Sequence, residues 1–208
     1  MTRGKFITIE GVEGVGKTTS IAFIEDYFKQ LSQDILLTRE PGGTPLAEKI
    51  RDLLLDARQT SITDNTELLL MFAARAQHLE EKIVPALEAG HWVICDRFTD
   101  ATYAYQGGGR GIEISRIASL EEWVQGALRP DLTLLLDLPV DEGLKRAGER
   151  STPDRFEQEK QAFFERVRET YLGMARAEPQ RYRVIDASGS IEAVQSRIKT
   201  VLDELTAP

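Results

Sequence analysis

The chain has 208 residues, 41% hydrophobic and 29% charged, which is enough apolar material for one sizeable core and too mixed a composition for a disordered polymer. A formal charge of -8 excludes a broad basic surface for nucleic acid or acidic lipid, so any anionic ligand has to be held by local cations. One cysteine, Cys95, leaves no internal disulfide or multi-thiolate metal site, and the two histidines, His78 and His91, lack the spacing of a helical ligand pair.

Residues 1–5 run directly into a short apolar strand without the longer apolar core of a secretion signal, and no apolar run reaches bilayer length, so a cytoplasmic location is expected. In chain order, residues 6–10 end in a glycine-rich turn, and apolar residues at helical spacing follow over 18–31: strand, loop, helix. A second strand at 35–38 is stopped by Arg39-Glu40-Pro41-Gly42-Gly43, and residues 45–55 suit a helix. One long helix is expected over 63–87, capped by Asp64 or Thr63 and closed before Gly90. Strands at 92–95, 132–136 and 182–185 complete the set, the last two each approached through a helix and followed by one. This alternation implies right-handed crossovers and a parallel sheet covered on both faces, with ligands at the carboxyl ends of the strands. Residues 148–154, mixing Gly, Ser, Thr and Pro with charges, read as a mobile loop.

Gly11-Val12-Glu13-Gly14-Val15-Gly16-Lys17-Thr18 fits G-x-x-x-x-G-K-[ST] at every fixed position, between a strand and a helix. In that context the glycines let backbone N–H groups turn onto phosphate oxygens, and the helix dipole adds favourable charge. Lys17 is expected to bridge the β- and γ-phosphates of ATP and Thr18 to offer its hydroxyl to Mg²⁺, with Thr19 beside it in the ATP site. Glu13 would be repelled by polyphosphate and is expected to point elsewhere, a hydroxyl of a second substrate's sugar being one target.

Asp96-Arg97 stands at the end of the third strand, Asp96 suited to the metal's water shell and Arg97 to bidentate phosphate binding. Downstream, the run 102–110 joins aromatic rings, an amide and three glycines, a combination able to pack on a sugar and meet a base edge. Cys95, in a buried strand, reads as core.

Thr38-Arg39-Glu40-Pro41-Gly42-Gly43-Thr44, Phe72-Ala73-Ala74-Arg75, Asp96-Arg97-Phe98 and Ala104-Tyr105-Gln106-Gly107-Gly108-Gly109-Arg110 together resemble the bacterial thymidylate kinases, in order and spacing and over nearly the whole chain. The resemblance implies one α/β domain over 1–208 with the three-layer P-loop NTPase fold, a five-stranded parallel sheet and a short lid near 146–156. It also implies phosphoryl transfer from MgATP to dTMP. By the same resemblance Arg97 and Arg51 hold the dTMP phosphate, Arg75 and Gln106 read thymine, Tyr105 crowds the 2′ position, and Arg39 and Glu40 line the pocket. The family's thymine-stacking aromatic is replaced by Met71, with Phe72 next to it; Ala101 followed by Thr102 stands where the family often has serine. Family members with Glu in the phosphate loop place the catalytic arginine in the lid, which points to Arg150 or Arg155, with Arg146 and the turn at Ala187 on the ATP side. A homodimer is implied as well. Competing readings are another mono- or deoxynucleoside kinase, or a GTP switch, which lacks its N-K-x-D signature here because the one asparagine, Asn65, is followed by Thr66.

Overall fold

Successive residues of the central strands serve opposite faces of one sheet. Phe6, Val93 and Cys95 pack with Leu79, Ile83, Leu87 and Phe98 on one side, while Ile7, Ile9 and Ile94 join Ile24, Phe28, Leu134, Phe164, Ile198 and Leu202 on the other. The structure is a computed structural model describing residues 3–58, 62–148 and 154–206. Its five strands, β1 (Phe6–Glu10), β2 (Ile35–Arg39), β3 (Trp92–Asp96), β4 (Leu132–Asp137) and β5 (Tyr182–Asp186), lie in the order β2-β3-β1-β4-β5. All pairings are parallel, as the alternation of elements predicts.

The helices are α1 (Lys17–Gln30), α2 (Pro45–Leu55), α3 (Asp64–His78), α4 (Val84–Glu88), α5 (Thr99–Thr102), α6 (Ile114–Gln125), α7 (Val140–Gly148), α8 (Gln161–Ala177) and α9 (Ile191–Thr206). Pro45 begins α2, where its missing N–H costs nothing, and the Thr44 hydroxyl accepts from the Ala47 N–H at 3.3 Å. Thr63, not Asp64, caps α3.

The expected single helix over 63–87 is divided: a π-helical turn, Leu79–Ile83, separates α3 from α4. Pro85 supplies the reason, since within a continuous helix it would remove a hydrogen bond and press its ring on the carbonyl of Glu81. A second π-helical turn, Tyr103–Gly109, follows α5. Its glycines are packing sites: a Cβ on Gly109 would lie 2.4 Å from the Phe163 ring of α8, and the Arg166 guanidinium donates to the Gly109 carbonyl at 2.7 Å. Of the expected lid, residues 149–153 lie outside the described residues.

Strand register gathers the site. Ile9 pairs with Asp96 and Arg39 with Asp96, the Arg97 N–H donates to the Ile9 carbonyl at 3.0 Å, and the Glu40 N–H to the Asp96 carbonyl at 2.9 Å. The carboxyl ends of β1, β2 and β3 therefore meet beside the place where the chain leaves β3 for β4 across β1, the switch point at which open parallel sheets bind ligands.

Candidate active site

Between β1 and α1 the backbone turns through positive φ at Gly11, Gly14 and Gly16. Gly14, at φ 74°, is fixed in identity twice over: its conformation is left-handed, and a Cβ there would sit 1.8 Å from the Gly143 carbonyl oxygen of α7. Val12 and Val15 send their side chains into the core, so only their backbone faces a ligand. Lys17 donates to the carbonyls of Gly11 and Val12 at 3.2 and 3.0 Å. Burial first, and then repulsion by Arg97, lower the pKa of its ammonium against the pull of Glu13, Asp96 and Glu10. Thr18 opens on the cleft, whereas Thr19 is exposed and does not line it.

Arg97 has φ 66°, a left-handed conformation that costs a non-glycine residue about 1 kcal/mol and needs surrounding contacts to hold it. Those contacts are dense. Its guanidinium donates to the Gly11 carbonyl at 2.9 Å and to Glu13 Oε1 at 2.6 Å, and lies 4.8 Å from the Tyr105 ring centroid. Glu13 is thus bound toward Arg97, and it takes the Tyr105 hydroxyl at 3.0 Å as well. The next N–H, of Phe98, donates to Glu10 Oε1 at 2.7 Å, and the Tyr171 hydroxyl donates to Glu10 Oε2 at 2.6 Å. Burial, and next the Asp100 charge, push the Glu10 carboxyl up to about 8. Asp96 Oδ1 is buried with no partner among the described residues.

One cleft of about 340 Å³ joins this region to a second set of cations and amides. Lys17 and Thr18 line one part; Arg51, Met71, Arg75, Ala101, Thr102, Tyr105 and Gln106 line the other, with Asp96, Arg97 and Glu40 on the same wall. Arg51 donates to the Pro41 carbonyl at 2.8 Å, and burial, followed by the Arg39 charge, lowers its pKa. Arg75 is buried: Nε donates to Glu40 Oε2 at 2.7 Å and Nη2 to Thr102 Oγ1 at 3.0 Å, while Nη1 has no acceptor among the described residues. Glu40 in turn is held by buried His78, whose Nδ1 lies 3.1 Å from Glu40 Oε1 and whose Nε2 lies 2.6 Å from Thr38 Oγ1. Both ring nitrogens of buried His78 are thus occupied, and Cys95 is a buried core thiol, as its strand position predicts.

Besides Thr19, three expected site residues lie elsewhere. Arg39 is half exposed and paired with Glu48 at 2.8 Å, outside the cleft, because residues alternate along β2 and the inward position falls to its neighbour. Phe72 packs into the core with Leu68 and Ile117, one helical step from the cleft wall that Met71 occupies. Arg155 does not line the cleft: its guanidinium is bound to buried Glu67 and to the Leu54 carbonyl at 2.8 Å, since a carboxylate as deeply buried as Glu67 requires cationic partners. Arg150 lies outside the described residues. Arg146 and Ala187 do come together, Nη1 donating to the Ala187 carbonyl at 3.3 Å, on the side of α7 beyond the phosphate loop.

Sequence reasoning missed Glu67, His78 and Glu10. For Glu67 a signal existed, because Glu67, Met71 and Arg75 follow one another at four-residue intervals and so share one face of α3.

A phosphate cradle that faces a second group of fixed cations across one cleft, at the switch point of a parallel sheet, defines the class of P-loop enzymes that pass a phosphoryl group between two bound ligands. Within that class the chain belongs to the thymidylate kinase family, whose model matches residues 9–198. It is 56% identical over 203 residues to a thymidylate kinase of Alkalilimnicola ehrlichii, covering 97% of this chain and 94% of that one. A thymidylate kinase of Pseudomonas putida is 60% identical over 197 residues, 95% of each chain. The crystal structure of thymidylate kinase from Ehrlichia chaffeensis superposes with a TM-score of 0.79 at 33% identity, covering 96% of this chain and 99% of the other.

Proposed function

We propose that this chain transfers the γ-phosphate of ATP to dTMP, giving dTDP for dTTP synthesis. The observation that carries the reading is the shared cleft, in which Lys17 and Thr18 stand opposite Arg51, Arg75, Arg97 and Gln106. Two polyanions repel, so a transfer enzyme must first hold them together with cations and then stabilise charge as the phosphoryl group moves. In this reading Lys17 and the backbone of residues 11–18 hold ATP, with Arg146 and Ala187 on its nucleoside side. Arg97 and Arg51 take the acceptor phosphate, Arg75 and Gln106 meet the thymine edge, Met71 covers its face, and Tyr105 crowds the 2′ position. No general base is needed, because the acceptor is already a phosphate anion.

The donor set fits Mg²⁺: Asp96 Oδ1, without a partner among the described residues, and the Thr18 hydroxyl are hard oxygen ligands on one cleft. When bound with ATP the ion would neutralise phosphate charge. Of the two lid arginines, Arg150 is assigned the transition-state role, since the Arg155 guanidinium is committed to Glu67. We assign the activity to the cytoplasm, in keeping with a free thiol; no helix among the described residues is long and apolar enough to cross a membrane. A homodimer is supported by exposed Leu46 and Leu53 on α2, Leu69 on α3 and Trp123 on α6, helices packed side by side. Sedimentation velocity should give about twice the 23.3 kDa chain mass. A monomer at every concentration would remove that part of the reading.

Acceptor profiling with MgATP against dTMP, dUMP, dCMP, UMP and thymidine tests the whole. The expected outcome is a clear preference for dTMP, and equal use of UMP would overturn it. Arg75→Met should raise KM for dTMP roughly ten-fold or more, through loss of a charged hydrogen bond, and relax base choice. Unchanged selectivity against dUMP and dCMP in that variant would remove Arg75 from base reading.

A further inference from the structure

Glu67 is 1% exposed and receives three partners. Gln106 Nε2 donates to its Oε1 at 2.8 Å, Arg110 Nη2 lies 3.3 Å from Oε2, and Arg155 Nη2 donates to the same oxygen. A carboxylate facing two guanidinium groups has acceptors only. The Gln106 amide therefore has one allowed orientation: its NH₂ must turn to Glu67, and its oxygen must turn the other way. The chemistry of the partner alone dictates this orientation. Gln106 lines the cleft and Glu67 does not, and no described residue donates to Gln106 Oε1.

The wall of one cleft thus carries both an acceptor at Gln106 and a donor at Arg75 Nη1, the buried guanidinium nitrogen without a partner among the described residues. That pair is complementary to the N3–H and O4 of a pyrimidine dione. Cytosine presents the inverse, an acceptor at N3 and a donor at N4. We propose that Glu67 is a positioning residue that sets discrimination between thymine or uracil and cytosine by fixing the orientation of the Gln106 amide. The proposal rests on the dTMP kinase reading and adds to it the origin of one selectivity. It also separates two kinds of choice: the amide orientation governs dione against cytosine, whereas thymine against uracil depends on what packs around the 5-methyl group.

Glu67→Gln provides the test, because a glutamine at 67 can donate as well as accept and so allows the Gln106 amide to reverse. The ratio of kcat/KM for dCMP to that for dTMP is expected to rise roughly ten-fold or more, the scale of one relieved hydrogen-bond mismatch. The dUMP to dTMP ratio should stay at its wild-type value. A general loosening of the site would move both ratios together, and that result, or no movement in either, overturns the assignment. Wild-type turnover of dTMP carries the underlying reading: its absence overturns both, whereas unchanged ratios with dTMP turnover intact overturn the role of Glu67 alone. Should the variant fail to fold, neutron diffraction from the wild-type complex with dTMP decides by the deuterium positions. Amide deuterons directed at Glu67 support the proposal, and amide deuterons directed at thymine N3 overturn it.

Discussion

Replacing Arg97 by methionine is expected to lower kcat/KM for dTMP by roughly 10²–10³-fold, the effect of removing one preorganised charged donor from a phosphoryl-transfer site. The guanidinium is held by the Gly11 carbonyl, Glu13 and the Tyr105 ring, so it reaches the cleft without having to be ordered by the ligand. The same residue carries backbone strain at φ 66°. Arg97→Gly relieves that strain and removes the charge, which separates the two roles. The glycine variant should lose activity to the same degree as Arg97→Met while melting at a higher temperature than it does. Wild-type kcat/KM in either variant would contradict a role for Arg97 in holding the acceptor phosphate.

The largest effect is expected at Arg150, and it should contrast with Arg155. Arg150→Met should reduce kcat by roughly 10³–10⁵-fold with little change in KM for dTMP, because an arginine finger acts on charge that develops only in the transition state. Arg155→Met should act on stability instead. It removes one of two guanidinium partners from buried Glu67, for which a loss toward the lower end of about 3–5 kcal/mol is expected, since Arg110 remains. Single-turnover kinetics and thermal denaturation of both variants check the contrast. A collapse of kcat in Arg155→Met with its melting temperature unchanged would return the transition-state role to Arg155.

Different parts of the site are legible in the sequence to unequal depths. The phosphate loop was legible because its chemistry is contiguous: eight successive residues carry their own backbone geometry, and strand and helix flank them in the chain. The run from Tyr103 to Gly109 was half legible. Tyr105 and Gln106 line the cleft as the resemblance implies, but Gly109 and Gly108 beside them answer to Phe163 and Thr170 of α8, far along the chain. The helical stretch over 63–87 was legible as a region, but the π-helical turn within it was not, Pro85 being outweighed by apolar spacing on either side. The roles of Arg39, Phe72 and Arg155 came from their places in a family pattern, and in each case a local contact claims the side chain: Glu48, the Leu68 and Ile117 packing, and Glu67.

By itself the amino-acid order determined the alternation of strands and helices, the phosphate cradle and the strand-end Asp96-Arg97, since each depends on periodicity or on neighbours within about ten residues. Tertiary structure alone decided the strand order β2-β3-β1-β4-β5, which brings Arg97 to the Gly11 carbonyl across 86 residues of chain. It also decided which charges meet. Buried Glu40 takes Arg75 and His78, and buried Glu67 takes Gln106, Arg110 and Arg155, because desolvation forces a partner on every ion placed in the interior and only the packed fold says which ions are placed there.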